Sequence, residues 1–192
     1  MTVARQARRR GQRGATLIEI LVSLIILMVG LLGLIGMMVQ SQRGQQESYQ
    51  RVQALLLVQD MAARINNNRA AADCYVFAGS LTAASAAPSA AGCGVGSANQ
   101  KARATQDLVD WQNLLAGAAE TSGGNSVGAV LAASGCITKN AATGVFQVSV
   151  AWQGVQTVGA PPAGITCGQG SYGADDAQRR AVSLTVLPPT AS

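Results

Sequence analysis

The order of apolar and polar positions changes character several times along the chain, and each change predicts a different element. Residues 17–39 read LIEILVSLIILMVGLLGLIGMMV, an apolar run interrupted by Glu19 and Ser23. As a helix rising about 1.5 Å per residue it reaches roughly 34 Å, enough to cross the ~30 Å hydrocarbon core of a bilayer. The chain then turns polar but keeps a helical period. Val52, Leu55, Leu56, Val58, Ala62 and Ile65 share a broad apolar face, and Gln53, Asp60, Arg64 and Asn67 group opposite. One long helix over residues 15–69 is expected, its later apolar face packing on the remainder of the chain. Asp60 and Arg64, four residues apart, read as a solvated surface pair worth about 0.3–0.5 kcal/mol.

The pattern weakens over residues 78–100, where Ala, Gly and Ser surround a single proline; this composition predicts a loop on the surface. Residues 105–118, TQDLVDWQNLLAGA, place Leu108, Trp111, Leu114 and Leu115 at helical spacing, so a short helix ending near Gly117 is expected. Trp111 reads as a core anchor under a sheet rather than as a partner-binding aromatic. Residues 127–132, 145–152 and 181–187 are rich in β-branched side chains and alternate apolar with polar, which predicts antiparallel strands. A long helix layered on a small antiparallel sheet is an α+β fold.

Charge changes this picture only at one end. The net charge of +5 over 192 residues suggests a polyanion partner until it is located. Arg5, Arg8, Arg9, Arg10 and Arg13 precede Gly14, and the rest of the chain carries nine basic and nine acidic residues. The excess therefore belongs to a topogenic segment that holds the preceding end in the cytoplasm. Cys74, Cys93, Cys136 and Cys167 all follow the apolar run, at spacings too wide for a CxxC knuckle, and the chain has no histidine, so a zinc centre is not expected. Two disulfides in an oxidising compartment are expected, and of the three possible connectivities the sequence-local pairs Cys74–Cys93 and Cys136–Cys167 are favoured.

A secretory signal has a shorter apolar region followed by a small-x-small cleavage site, and MMVQSQRG supplies none. A plain signal anchor leaves Glu19 unexplained, since a carboxylate in a membrane segment costs about 2.5–3.5 kcal/mol at full depth unless it is paired. The stretch Arg13-Gly14-Ala15-Thr16-Leu17-Ile18-Glu19, leading into the apolar run, resembles the class III leader of type IV prepilins. The resemblance implies cleavage between Gly14 and Ala15 by a membrane prepilin peptidase, N-methylation of Ala15, and a Glu19 carboxylate that attracts the free amine of a neighbouring subunit. Alanine stands at Ala15 where phenylalanine is commoner in the family. Gly30, Gly33 and Gly36 read either as a surface for close helix approach or as the ordinary glycine enrichment of membrane helices. Gly36 stands where major pilins often have a bending proline.

VGLLGLIGMM, RINNNRAA and DLVDWQNLL are further similar to the PilV group of minor pilins. On this resemblance the chain divides into a cleaved cytoplasmic leader (1–14), a transmembrane and filament-core helix (15–39), a periplasmic continuation of that helix (40–69) and a periplasmic α+β domain (70–192). The implied function is priming of pilus biogenesis, with a place at the filament tip. The implied partners are the peptidase, the other minor pilins and the major pilin, the assembly platform and the inner membrane. A type II secretion pseudopilin shares the leader chemistry and stays open as an alternative. So does a tip module for adhesion or DNA, for which Lys101, Arg103, Arg179 and Arg180 are the available cations. No enzyme activity and no cofactor are expected: without histidine there is no Ser-His-Asp or Cys-His set, and GCGVG lacks the strand and helix of a nucleotide fingerprint. Asp175 and Asp176 are expected in a solvated turn with Gly173, a calcium site there needing several further oxygens.

Overall fold

The computed structural model describes residues 14–118, 121–126, 128 and 130–188. Helix α1 runs Leu17–Asn67 and is followed by a 3-10 turn, Arg69–Tyr75. Helix α2 spans Ala98–Leu115. Two short strands, β1 (Thr121–Ser122) and β2 (Asn125–Ser126), form a small hairpin, closed by Gly123 and Gly124 at positive φ. Strands β3 (Ser134–Lys139), β4 (Phe146–Gln153) and β5 (Arg179–Val186) form an antiparallel sheet in the order β3-β4-β5. The long helix packed on a small antiparallel sheet is the α+β, pilin-like fold that the pattern predicts. The chain divides into two compact units, one ending at Gly44 and the other covering Gln45–Ser192.

In the second unit, Ala54, Val58, Met61, Ala62 and Ile65 of α1 are buried. They share one core with Phe146, Val148, Val150 and Trp152, the alternate residues of β4 that face the helices, and with Leu108, Trp111 and Leu115 of α2. Trp111 is fully buried and its indole N–H donates to the Leu57 carbonyl at 3.0 Å, so it is a core anchor. The opposite face of the sheet carries Cys136 and Ala151, covered by Cys167 and Tyr172 from the loop between β4 and β5.

Three expectations are corrected. Val52, Leu55 and Leu56 are exposed; the packing face of α1 lies to one side of them, on 54, 58, 61, 62 and 65. The apolar period on α1 is broad enough to admit either face, and only the sheet decides between them. Residues 128 and 130–132 form no strand, and Val127 lies outside the described residues; the first sheet strand is Ser134–Lys139 instead. Its Gly135 has poor strand propensity, but an added Cβ there would sit 2.4 Å from the Trp111 ring, so the glycine is what lets α2 lie on the sheet. Helix α2 also begins earlier than its apolar period, because Ser97 and Gln100 form a reciprocal capping box. The Ser97 hydroxyl accepts from the Gln100 N–H at 3.3 Å, and the Gln100 side chain accepts from the Ser97 N–H at 2.8 Å.

Candidate processing and assembly segment

Gly14, Ala15 and Thr16 are exposed and precede the helix. A Cβ added at Gly14 would meet nothing within 4 Å, so the glycine serves no packing need inside the chain. The Thr16 carbonyl opens α1 by accepting from the Glu19 N–H at 3.0 Å and the Ile20 N–H at 3.2 Å. Glu19 thus sits in the first turn, where the helix dipole favours an anion. The Ser23 hydroxyl donates back to the carbonyls of Glu19 and Ile20, so its polarity is satisfied within the apolar helix. No basic side chain pairs with Glu19 among the described residues. The next basic residue along α1 is Arg43, roughly 36 Å further by helical rise. Every residue over 17–39 is exposed, and added Cβ atoms at Gly30, Gly33 and Gly36 would meet nothing within 4 Å. The apolar surface and the three glycines of this helix are unused within its own unit.

The four cysteines form two bonds in the second unit. Cys74 joins Cys93, with Cα atoms 5.3 Å apart, and Cys136 joins Cys167, at 5.7 Å. The first closes the Ala-rich loop onto the turn after α1, and the second ties the β4–β5 loop to β3.

Three polar clusters hold this unit together. The pair expected from Asp60 and Arg64 is part of a larger set: Arg64 Nε meets Asp60 Oδ2 at 2.8 Å, and Arg64 Nη1 reaches the buried Asp107 of α2 at 3.1 Å. The Tyr75 hydroxyl donates to the other Asp107 oxygen at 2.6 Å and accepts from the Asn68 amide at 3.1 Å. Burial pushes the Tyr75 phenol above its ordinary pKa, and the bond to Asp107 pushes it further. For Arg64, burial opposes the charge, but hydrogen bonds and charge from Asp60 and then Asp107 outweigh it, so its pKa is raised. At the start of the unit, Glu47 accepts from the Gln156 N–H and from Arg180 Nη2, both at 3.2 Å. Local spacing offers Glu47 two other partners, Arg43 and Arg51, so nothing in the sequence singled out Arg180.

The third cluster corrects the reading of Asp176. It is buried rather than solvated, its Oδ1 accepting from the Gly170 N–H at 2.8 Å and its Oδ2 lying 3.1 Å from Arg179 Nε. With both oxygens engaged, Asp176 is not presented to a cation, while Asp175 is exposed. Arg179 itself is only 3 % exposed and also donates to the carbonyls of Ile165 and Cys167. Of the four cations considered for a phosphate track, Arg179 and Arg180 are therefore spent inside the fold.

Residues 9–35 match the family model described as the prokaryotic N-terminal methylation motif. No curated protein and no solved structure matches the chain. The matched stretch contains Gly14, Ala15 and Glu19 and ends within the exposed apolar helix. It implies processing by a prepilin peptidase, membrane anchoring and assembly with pilus components, and points to a structural subunit. Motif and fold together support a type IV pilin-like prepilin, a pilin or pseudopilin subunit.

Proposed function

We propose that the chain is a minor type IV pilin of the PilV group, cut between Gly14 and Ala15, methylated on Ala15, and anchored in the inner membrane with residues 40–192 in the periplasm. It carries no catalytic activity and primes filament assembly with the other minor pilins, the major pilin and the assembly platform, taking a place near the tip. The observation that carries the reading is Glu19, without a cation partner among the described residues, at the head of an apolar helix whose surface is unused within its unit. Before cleavage the chain has no amine at residue 15. After it, the new α-amine is largely protonated near neutrality and is the cation a neighbour's carboxylate lacks. In a low dielectric that attraction is several times stronger than in water.

Intact-mass measurement of the membrane-extracted protein tests the leader. The expected species begins at methylated Ala15, and an uncut chain or a cut beyond residue 39 would refute the reading. Gly14→Val should accumulate as full precursor, since a β-branched side chain fills the space the glycine leaves open. A deletion strain then separates pilus from secretion: loss of surface pili is expected, and loss of exoprotein secretion with pili intact would mark a pseudopilin. A DNA-binding tip receives little support from a domain in which Arg179 and Arg180 are engaged internally.

A further inference from the structure

The sheet β3-β4-β5 has two edges, and the chain treats them differently. The Gly154 N–H donates to the Gln178 carbonyl at 2.8 Å, which continues the ladder of β4 with β5 and fixes its alternation. Arg180, Val182, Leu184 and Val186 turn their backbone groups toward β4, and Ala181, Ser183 and Thr185 turn theirs outward. On β3 the outward groups of Gly135 are taken by Leu81, at 2.8 Å in both directions, and the strand ends on Lys139. On β5 the outward groups of Ala181, Ser183 and Thr185 have no partner among the described residues. An exposed edge is ordinarily blunted by a charge, a bulge or a proline. Residues 181–187 contain no charge and no proline, and their register with β4 is continuous. Leu184, on the helix-facing side opposite Val148, is 40 % exposed, and Leu187 is 66 % exposed.

We propose that a second copy of this chain covers the outer edge of β5, the two strands pairing antiparallel about a two-fold axis at Leu184. Charge and pattern make the edge complementary to itself. In that register the outward groups of Ala181, Ser183 and Thr185 meet those of the partner's Leu187, the partner's Thr185 and the partner's Ser183. On the helix-facing side Val182 meets the partner's Val186, and Leu184 meets the partner's Leu184. Arg180 falls opposite the partner's Pro188 and is already held by Glu47 and the Gln156 carbonyl, so no cation faces another. The full chain in detergent should scatter light as twice the polypeptide mass of one chain. In membranes of the producing cells, Leu184→Cys should give a dimer linked through sulfur, because opposed Cα atoms at such a pair stand about 4.5 Å apart. Leu187→Cys, remote from the axis, should stay single. Leu184→Lys sets like charges against each other and should halve the scattering mass while keeping both native disulfides. Ser183→Pro, which removes an outward donor and spares the ladder with β4, should do the same. A monomeric wild type overturns the proposal, as does a dimer that survives both Leu184→Lys and Ser183→Pro, which would place the contact on the apolar helix. Leu184→Cys joined to a different protein also overturns it and gives the edge to a foreign strand.

Discussion

At the residue scale, Glu19 and Tyr75 show opposite ways of handling a polar group in an apolar setting. Among the described residues Glu19 has no cation partner, so its effect should emerge only in assembly. Glu19→Gln keeps shape and some hydrogen bonding while deleting the charge. Cleavage and membrane insertion should persist, while recovery with pilin partners and surface piliation should fall. Co-purification and pili at wild-type levels would leave Glu19 a tolerated interfacial carboxylate. Tyr75, by contrast, is fully buried and satisfied by Asp107 and Asn68. Because burial and Asp107 raise its pKa in the fold, its contribution is complete below the ordinary phenol value of about 10 and is lost as pH rises through the higher folded value. Denaturant midpoints of the detergent-solubilised chain should therefore decline above about pH 10. Tyr75→Phe should shallow that decline while costing about 1–3 kcal/mol near neutrality, since Asp107 loses a donor. Glu19 was legible because a lone carboxylate in an apolar run is conspicuous. Asp107 was not: the apolar period over 105–118 puts it at the start of the expected helix, where acids are ordinary, whereas it lies mid-way along α2 and its burial follows from Arg64 and Tyr75, 43 and 32 residues away.

At the scale of elements, the contact of α2 with β3 is the most demanding. Gly135 lies under Trp111 and Leu115, where an added Cβ would come within 2.4 to 2.7 Å of their side chains. Gly135→Ala must displace a fully buried indole that also donates to Leu57, so a loss on the order of 1–3 kcal/mol is expected in thermal or denaturant unfolding. An unchanged midpoint would mean that α2 can lift from the sheet without cost. This contact explains why the first sheet strand escaped the pattern. The alternation over 145–152 reports a strand whose apolar residues face the helices, and β4 occupies nearly those positions. The segment SGCITK spends its early positions on a glycine that admits Trp111 and a cysteine that bonds across the chain, neither of which raises a strand signal. Likewise the α1 period was visible, but the choice of face was not, because Leu55 and Leu56 are as apolar as Val58 and Ile65 and only tertiary contact separates them.

At the scale of the whole molecule, the two bonds act on different parts of one unit. Cys136–Cys167 joins the far face of the sheet to a loop whose Tyr172 hydroxyl lies 2.8 Å from both the Ala132 carbonyl and the Ser134 hydroxyl. Its loss through Cys136→Ala with Cys167→Ala should cost roughly 3 to 4 kcal/mol, read as a lower unfolding midpoint under non-reducing conditions. Peptide mapping of the unreduced protein should recover the same two pairs, and four alkylatable thiols would contradict them. Cys74–Cys93 has another consequence. The stretch it encloses is largely irregular and exposed, and such loops are where proteases cut. A single scission there leaves both fragments joined through sulfur: α1 and its turn on one side, α2 and the sheet on the other. A nicked subunit would therefore migrate as one species without reductant and as two with it, keeping its anchor and its domain in one covalent molecule.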